Sequence, residues 1–279
     1  MFKELKSGLF VESYVYNEEN KHEIMTNFHY HEHYEIYYLL SGECKYLINS
    51  NVYNIEVGDV VLIKKRDLHM ATHNLDFVCE RIVLNFDDSF IEDFDDELKT
   101  ALDCFSVNHI KIPVNHKKHI NVLFSKILRE YSGKEFYSEK LCKNYVHELL
   151  VLLYRYIYSE DDVTIDNDST GPIEKAIRYI YNNYQKKLSL AEIADICHMN
   201  PSYFSRLFKK TTGINLVPYI NTIRVKAAST LLSDTDMTII EIANTCGFDN
   251  LQHFCEIFKK IKGVSARQFR KDFLERNSR

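Results

Sequence analysis

Four side chains in the first quarter of the chain have the types and spacing of a metal site or a polar-ligand site. His29 and His31 precede Glu35, and His69 follows farther along the chain. Because side chains alternate between the two faces of a strand, we expect His29, His31 and Glu35 on one side. His33 has the same parity, so a turn is needed to move it away from the set. Imidazoles with one carboxylate suit Zn, Ni, Mn or Fe(II).

Two other interpretations of these four residues stay open at this point. The same groups could form a metal-free pocket that hydrogen-bonds a polar organic ligand, or the histidines could be structural. Four nearby tyrosines offer faces on which a sugar could stack, namely Tyr34, Tyr37, Tyr38 and Tyr46. Tyrosines on strands, however, more often serve packing.

The region that must position these residues has the composition of a β domain. Aromatic and β-branched residues dominate up to about Ile112, so we expect strands throughout, with turns at Ser41-Gly42, 49–51 and Gly58-Asp59. The best strand candidates are residues 36–40, 45–48, 60–63 and 81–86. Short strands at this spacing predict a sandwich or a barrel.

The pattern becomes helical after Pro113. Two apolar stripes with helical spacing are separated by Gly133 and predict a helical hairpin. The stripes are Ile120, Leu123, Phe124, Ile127, Leu128 and Tyr131, then Leu141, Tyr145, Leu149, Leu152, Leu153 and Tyr156. They exceed what covering one edge of a barrel needs, which favours a dimer interface, with packing inside one chain as the alternative.

The last third of the chain contains one pattern twice. Leu190 to Ala194 is followed by Phe204 to Lys210 and Gly213, and Ile239 to Ala243 is followed by Phe254 to Lys260 and Gly263. An internal repeat of about 50 residues indicates that one structural unit occurs twice in the chain. Each copy starts with a Ser or Thr cap and a Glu three residues later, the capping box. Each copy therefore predicts a helix-turn-helix.

The second helix of each copy presents a short polar face with a basic end. The positions predicted to contact bases are Ser202, Tyr203, Ser205 and Arg206, then Leu251, Gln252, Cys255 and Glu256. Arg206 can pair guanine, Gln252 can pair adenine, and Glu256 can accept from cytosine N4. Lys209, Lys210, Lys259 and Lys260 suit phosphates, which position a protein on DNA without specifying sequence. The alternative is a helical repeat that binds protein.

Charge and cysteine content support a nucleic-acid partner for the last third of the chain. Residues 171–279 carry 17 Lys and Arg against 10 Asp and Glu, a net charge of +7, while the first 170 residues carry 18 and 30, a net charge of −12. The basic portion is the electrostatic footprint of a DNA binder. The seven cysteines match no zinc module, and neither a signal segment nor a membrane span is recognisable, so we expect a cytoplasmic protein. There is no phosphate-cradling glycine loop and no nucleophile signature.

The duplicated stretch resembles the AraC family of bacterial transcription regulators. The resemblance covers about 100 residues, and its carriers are the two repeats, the intervening helix from Tyr219 to Leu232, and Gly247-Phe248. It implies a linker helix that holds two recognition helices rigidly, with each helix entering a major groove on one face of DNA, about 34 Å apart. Ala266 stands where the family usually has proline.

The histidine region resembles the cupin barrel, which AraC-type regulators often carry as a sensor. His29, His31, Glu35 and the following Gly42 fit the first cupin motif closely. The second motif, from Gly58 to His69, departs from the pattern, since Lys64 and Arg66 replace the usual proline and glycine and His73 stands where enzymatic cupins often have asparagine. The resemblance implies that a small effector binds in the barrel.

These observations predict an α+β chain with four parts. A cupin-like effector barrel spans residues 1–112, a helical hairpin for dimerisation 113–159, an acidic linker 160–171, and a DNA-binding domain with two helix-turn-helix motifs 172–279. The predicted function is a sequence-specific regulator of transcription controlled by a small effector such as a carbohydrate, with RNA polymerase as a further partner if the regulator is an activator; the sequence leaves the choice between activator and repressor open. The alternatives are a metal-dependent cupin enzyme with an appended helical domain, and a constitutive dimeric DNA binder. The sequence requires no cofactor, a divalent metal in the barrel being the one candidate.

Overall fold

A computed structural model describes residues 8–16, 28–73, 78–133, 135–158 and 171–277. These residues form two compact units, which lie in sequence on either side of residues 159–170. The predicted acidic linker, residues 160–171, lies outside the described residues except for Gly171. In the described part of the chain, no helix is long and apolar enough to cross a membrane.

The first unit contains two antiparallel sheets that pack face to face. A five-stranded sheet has the order β1-β7-β2-β5-β8, and a three-stranded sheet has the order β4-β3-β6. The strands are β1 Leu9–Tyr16, β2 Tyr34–Ser41, β3 Cys44–Ile48, β4 Asn51–Ile55, β5 Val60–Ile63, β6 His69–His73, β7 Cys79–Phe86 and β8 His109–Ile110. The predicted α+β class with an N-terminal cupin-like barrel is confirmed, as are all four strands expected from the sequence.

Both faces of the larger sheet are buried, and alternation along each strand decides which side chain faces which core. Tyr37 and Val61 point into the space between the two sheets. Ile36, Tyr38 and Leu84 point the other way, into a core shared with helices. Because both faces are covered, these strands appear as nearly continuous apolar runs rather than as alternating ones.

The expectation of strands up to Ile112 is wrong for residues 88–106. This segment forms α1 Asp88–Ile91, α2 Asp96–Ala101 and a 3-10 helix Leu102–Ser106. Asp87 and Asp95 cap the two α-helices, accepting hydrogen bonds from Ser89 N and Leu98 N respectively. The acidic run therefore starts helices, a signal that the overall β composition of the region masked.

The helical hairpin is confirmed, but its apolar stripes are not spare surface. The helices α3 Val114–Ser132 and α4 Ser138–Tyr158 bury Leu123, Phe124 and Leu149 against the outer face of the five-stranded sheet. The argument for a dimer from excess apolar area is therefore wrong for those residues. The homodimer itself stays a prediction. The large apolar residues that remain exposed on the described part of the hairpin are Val114, Val122, Phe136, Tyr137, Leu141 and Tyr158.

The second unit is entirely helical over its described residues. Its helices are α5 Pro172–Asn183, α6 Leu190–Ile196, α7 Pro201–Thr212, α8 Leu216–Asp234, α9 Ile239–Thr245, α10 Leu251–Lys262 and α11 Ala266–Asn277. The pairs α6–α7 and α9–α10 are the two predicted helix-turn-helix motifs, and α8 lies between them in sequence. Ala266 is buried at the first position of α11, so the chain accommodates alanine there.

The predicted caps define where the helices of both repeats begin. Ser189 and Thr238 accept hydrogen bonds from the backbone of Glu192 and Glu241. The reciprocal half of the capping box closes in the second copy, where the carboxylate of Glu241 accepts from the backbone of Thr238. In the first copy the carboxylate of Glu192 accepts instead from the Tyr179 hydroxyl at 2.7 Å. The capping box thus fixes the start of α9 within its own first turn, whereas the equivalent glutamate of the first copy, Glu192, connects α6 to α5.

Two arginines attach neighbouring segments to the central helix α8. Arg224 donates to the carbonyls of Tyr184 and Lys186, both at 2.8 Å. Arg270 on α11 donates to the carbonyl of Leu232 and, at 2.7 Å, to that of Met237. Charge-assisted hydrogen bonds satisfy carbonyls that helix ends leave open. These hydrogen bonds fix the segment before α6 and the helix α11 to α8, so that α8 connects the two repeats.

Candidate functional sites: a buried histidine pocket and two exposed helix faces

The fold brings together the four side chains singled out in the sequence. His29 and His31 precede β2, Glu35 lies on β2, and His69 begins β6. The backbones of His29 and His69 exchange two hydrogen bonds, of 3.1 and 3.0 Å, which fix these segments against each other. The candidate ligand atoms of His29, His31 and His69 all lie within 4.8 Å of one another.

Hydrogen bonds to backbone carbonyls orient two of the imidazoles. His31 Nδ1 lies 2.9 Å from the carbonyl of His33, and His69 Nδ1 lies 2.8 Å from that of Asp67. A carbonyl only accepts, so each Nδ1 carries the hydrogen and each neutral ring has its lone pair on Nε2. Metal-bound histidines typically show this arrangement, in which one nitrogen donates to a carbonyl and the other binds the cation.

Glu35 is the buried anion that both lone pairs face. Its Oε2 lies 3.1 Å from His31 Nε2 and 3.9 Å from His69 Nε2. Burial raises the pKa of Glu35, but the hydrogen bond with His31 and the charges of His69 and His31 outweigh burial and hold the pKa well below its ordinary range. Because His31 Nδ1 already donates to a carbonyl, His31 Nε2 and Glu35 Oε2 are two possible ligand atoms that face each other. A cation among these groups could be bound by both atoms.

The residues present therefore fit a divalent cation. His69 Nε2 is buried and has no hydrogen-bond partner in the described part of the chain. The donor set of three imidazoles and one carboxylate suits Zn, Ni, Mn or Fe(II). His29, His31, His69 and Glu35 would hold the ion, which would supply an electrophilic centre for a polar ligand.

His33 is moved out of the set by the turn that its parity required. The chain bends at residues 32–33 before β2 begins at Tyr34. The His33 ring then stacks on His31 with centroids 3.7 Å apart. His33 therefore supports the pocket from the side, through its ring and its carbonyl.

The four tyrosines divide according to strand parity. Tyr37 and Tyr46 face the space between the sheets, with ring centroids 4.9 Å apart, and the Tyr46 hydroxyl donates to Glu35 Oε1 at 3.3 Å. Tyr38 stacks on Phe124 of the hairpin, and Tyr34 packs against aromatic rings near the 3-10 helix. Packing is thus the role of Tyr34 and Tyr38, while Tyr37 and Tyr46 line the interior.

Sequence reasoning missed a second polar group inside the same barrel. Arg81 on β7 is 9% exposed and lies among tyrosine rings, with His73 nearby. Ile82 and Leu84 of the same strand face the outer core. Because side chains alternate along a strand, Arg81 must face the opposite side, towards the interior of the barrel, and this alternation was the signal that the sequence offered. An arginine at the end of an apolar run was not expected to point inward.

The two predicted recognition helices present their predicted polar faces outward. Phe204 and Phe208 bury one side of α7, and Phe254 and Phe258 bury the same side of α10. Of the predicted base-contacting and phosphate-contacting residues, Ser205 is half-buried and the others are exposed: Ser202, Tyr203, Arg206, Leu251, Gln252, Cys255, Glu256, Lys209, Lys210, Lys259 and Lys260. Asn200 and Asn250 cap the two helices through their side chains.

One hydrogen bond connects two of the predicted base-contacting residues. Gln252 Nε2 donates to Glu256 Oε1 at 3.0 Å, one helical turn away. Both side chains are exposed, so this bond can be exchanged for contacts with a ligand at little cost. This hydrogen bond holds the Gln252 amide and the Glu256 carboxylate together on the exposed face of α10.

Comparison with known proteins identifies both parts of the chain. The sequence model of the family described as "Helix-turn-helix domain" matches residues 193–272, and that of the family described as "Cupin domain" matches residues 18–85. The melibiose operon regulatory protein of Escherichia coli (strain K12) is 25% identical over 266 residues, which cover 89% of this chain and 84% of that protein.

Two further relatives match shorter stretches of the chain at higher identity. The arabinose operon regulatory protein of Escherichia coli (strain K12) is 30% identical over 156 residues, 56% of this chain and 52% of that protein. The bifunctional transcriptional activator/DNA repair enzyme AdaA of Bacillus subtilis (strain 168) is 41% identical over 98 residues, 35% of this chain and 46% of that protein. The similarity over most of the chain is thus to operon regulators rather than to cupin enzymes. With its cupin domain followed by a duplicated helix-turn-helix, the chain belongs to the AraC family of DNA-binding transcription regulators.

Proposed function

We propose that this regulator contacts DNA bases with α7 and α10 and that a small effector bound among His29, His31, Glu35 and His69 controls it. The observation that carries the proposal is the equivalence of the two helix faces. Each begins at an asparagine cap, buries two phenylalanines, exposes polar groups and ends in lysines. A short polar face with a basic end is what reading a major groove needs.

The roles of the exposed residues follow from their chemistry. Arg206 offers a bidentate fork to guanine, while Gln252 and Glu256 suit adenine and cytosine. Ser202, Tyr203, Ser205, Leu251 and Cys255 complete the two faces. The lysine pairs Lys209-Lys210 and Lys259-Lys260 end the helices, where they suit phosphates on either side of a groove.

Replacing Arg206 with alanine is expected to weaken binding to the cognate site by about 1–3 kcal/mol and to relax the preference at one base position. The reason is that a guanidinium bound to a base edge carries sequence information, whereas a phosphate contact carries none. The measurement is a gel shift with the full-length protein, on DNA upstream of its own gene and on the same DNA scrambled.

Lys209→Ala is the matched control, three residues away on the same exposed helix face. It should lose affinity for both DNA sequences about equally. An equal loss on both sequences in Arg206→Ala would assign Arg206 to the phosphate backbone and remove it from the base-reading set.

The barrel supports the effector half of the proposal through its buried polar lining. Two relatives are named for the melibiose and arabinose operons, and we extend a carbohydrate class of effector to this chain from those names and from the tyrosines in the interior. A divalent cation held by the three imidazoles and Glu35 would bind polar oxygens of such a ligand. The ligand can shift regulation only as far as its affinities for the two states differ.

The proposal includes the partners and organisation expected from the sequence. The protein is a cytoplasmic homodimer in which residues 1–112 bind effector, 113–159 dimerise, 160–171 link, and 172–279 bind DNA. As an activator it contacts RNA polymerase. The exposed Phe136, Tyr137 and Leu141 of the hairpin region are the apolar groups available to a second copy.

A further inference from the structure

A buried guanidinium inside the barrel has no role in the site described above. Arg81 is 9% exposed, and its Cζ lies 5.0 Å from the ring centroid of Tyr14, 4.9 Å from that of Tyr16 and 5.4 Å from that of Tyr37. Tyrosine faces attract a cation, yet a guanidinium taken out of water still needs acceptors for its N–H groups.

The hydrogen-bonding capacity of Arg81 is largely unused. Nη2 donates to the Tyr16 hydroxyl at 2.6 Å, but Nε is buried without an acceptor. Among the described residues, no carboxylate forms an ion pair with it. A guanidinium has five N–H donors, and a buried charge of this kind is normally paired.

Other unsatisfied polar atoms surround the same guanidinium. In the described part of the chain, the hydroxyl of the fully buried Tyr37 has no nitrogen or oxygen partner and lies beside the thiols of Cys44 and Cys79, and neither ring nitrogen of His73 has a hydrogen-bond partner. The His73 ring lies 4.8 Å from that of Tyr16. Burial, together with the charge of Arg81, lowers the pKa of His73 to about 3, so its ring is neutral and offers one donor and one acceptor. Such a concentration of unpaired buried groups is rare in folded proteins without a ligand or water.

We propose that Arg81 binds a carboxylate of the effector, with Tyr37 and His73 as further polar contacts. This inference rests on the proposed function, since it names the chemical class of the ligand in the same barrel. Guanidinium and carboxylate form paired hydrogen bonds in one plane, and the rings of Tyr14, Tyr16 and Tyr37 lie around the guanidinium with centroids within 5.4 Å of its Cζ. Among carbohydrates, the class is a sugar acid rather than a neutral sugar.

The charge inside the barrel favours a carboxylate over a phosphate. Of the residues that the structure describes, Arg81 is the one buried arginine or lysine, and the carboxyl group of Glu35 lies in the same interior, where it accepts from the Tyr46 hydroxyl. One guanidinium can compensate the single charge of a carboxylate, whereas a phosphate dianion would require more cationic donors. If Arg81 serves instead as a distant counter-ion of Glu35, carboxylates will not bind to it.

The test follows the Nε–H signal of Arg81 by NMR in full-length protein labelled with 15N-arginine. Acetate, acetamide and inorganic phosphate are titrated separately at constant ionic strength. We expect a shift of the Arg81 signal that saturates with acetate and is absent with acetamide, while the signal of the exposed Arg206 stays in place. Arg81→Lys assigns the signal, and Tyr16→Phe assigns it independently if the lysine variant does not fold.

Three results would overturn the inference: no response to acetate, an equal response to acetamide, or a stronger response to phosphate. Binding of the same protein sample to DNA upstream of its own gene is measured in parallel. Intact DNA binding without an acetate response removes the carboxylate site and leaves the proposed regulator standing. Loss of DNA binding would count against the proposed function instead.

Discussion

Gly247→Ala should destabilise the second helix-turn-helix by about 2–5 kcal/mol and weaken DNA binding with it. Gly247 follows α9 with φ +85°, a conformation that costs an L-residue about 1–2 kcal/mol. A β-carbon there would also lie 2.5 Å from the backbone oxygen of Gln185. Backbone at that distance cannot move aside as a flexible side chain can, so the turn and the segment before α6 must separate.

The first repeat shows that backbone conformation alone does not require glycine at this position. His198, the equivalent residue, has φ +53° and retains its side chain. The close approach of Gln185 is therefore the larger part of the expected effect. Chemical denaturation of the full-length protein and a gel shift measure the two consequences.

Gly263→Ala is the matched control for this experiment. Gly263 ends α10 with φ +76°, and an added β-carbon would meet no atom within 4 Å. Its substitution should cost the conformational part alone, about 1–2 kcal/mol. Equal losses in the two variants would contradict the close packing of Gly247 against Gln185.

His31→Ala should weaken metal binding by the barrel. Full-length untagged protein, purified without chelator and dialysed against Zn, is expected to contain near-stoichiometric metal in its native form and less in the variant. The reason is geometric, because His31 Nε2 faces Glu35 at 3.1 Å while its Nδ1 is occupied by a carbonyl. Removing His31 leaves His29, His69 and Glu35, one ligand fewer than the four that a closed tetrahedral site needs, so the cation is held more weakly.

His119→Ala provides the control for the metal experiment. His119 is an exposed residue of the hairpin that pairs with Glu148, so its loss should leave the metal content unchanged. Elemental analysis measures the metal content of both variants. Metal absent from the native protein would assign the four residues to a metal-free pocket, and undiminished metal content in His31→Ala would exclude His31 from the ligands.

Local signals in the sequence predicted much of the second unit. A cap, a helical stripe and a left-handed turn each depend on residues a few positions apart, and Ser189, Asn200 and Thr238 each begin the helix expected of them. The repeat doubled that evidence. The same locality explains why His29, His31 and Glu35 lie close together, which needs the start of β2 and one bend before it.

Long-range packing accounts for what the sequence did not predict. The stripes of α3 and α4 were taken as spare surface because nothing in them shows that a sheet has both faces covered. Arg81 was passed over because its significance comes from Tyr14 and Tyr16, more than sixty residues earlier, on a paired strand. The helix at Asp96 had a local cap but stood in a region whose composition favoured strands.

The measurement that tests the central claim most directly is a footprint of the full-length protein on DNA upstream of its own gene. If α7 and α10 each enter a major groove, two protected tracts should lie on one face of the duplex, about one helical turn or 10 base pairs apart. Arg206→Ala should weaken protection of one tract more than the other. Protection that is uniform along the DNA, or independent of its sequence, would contradict the account.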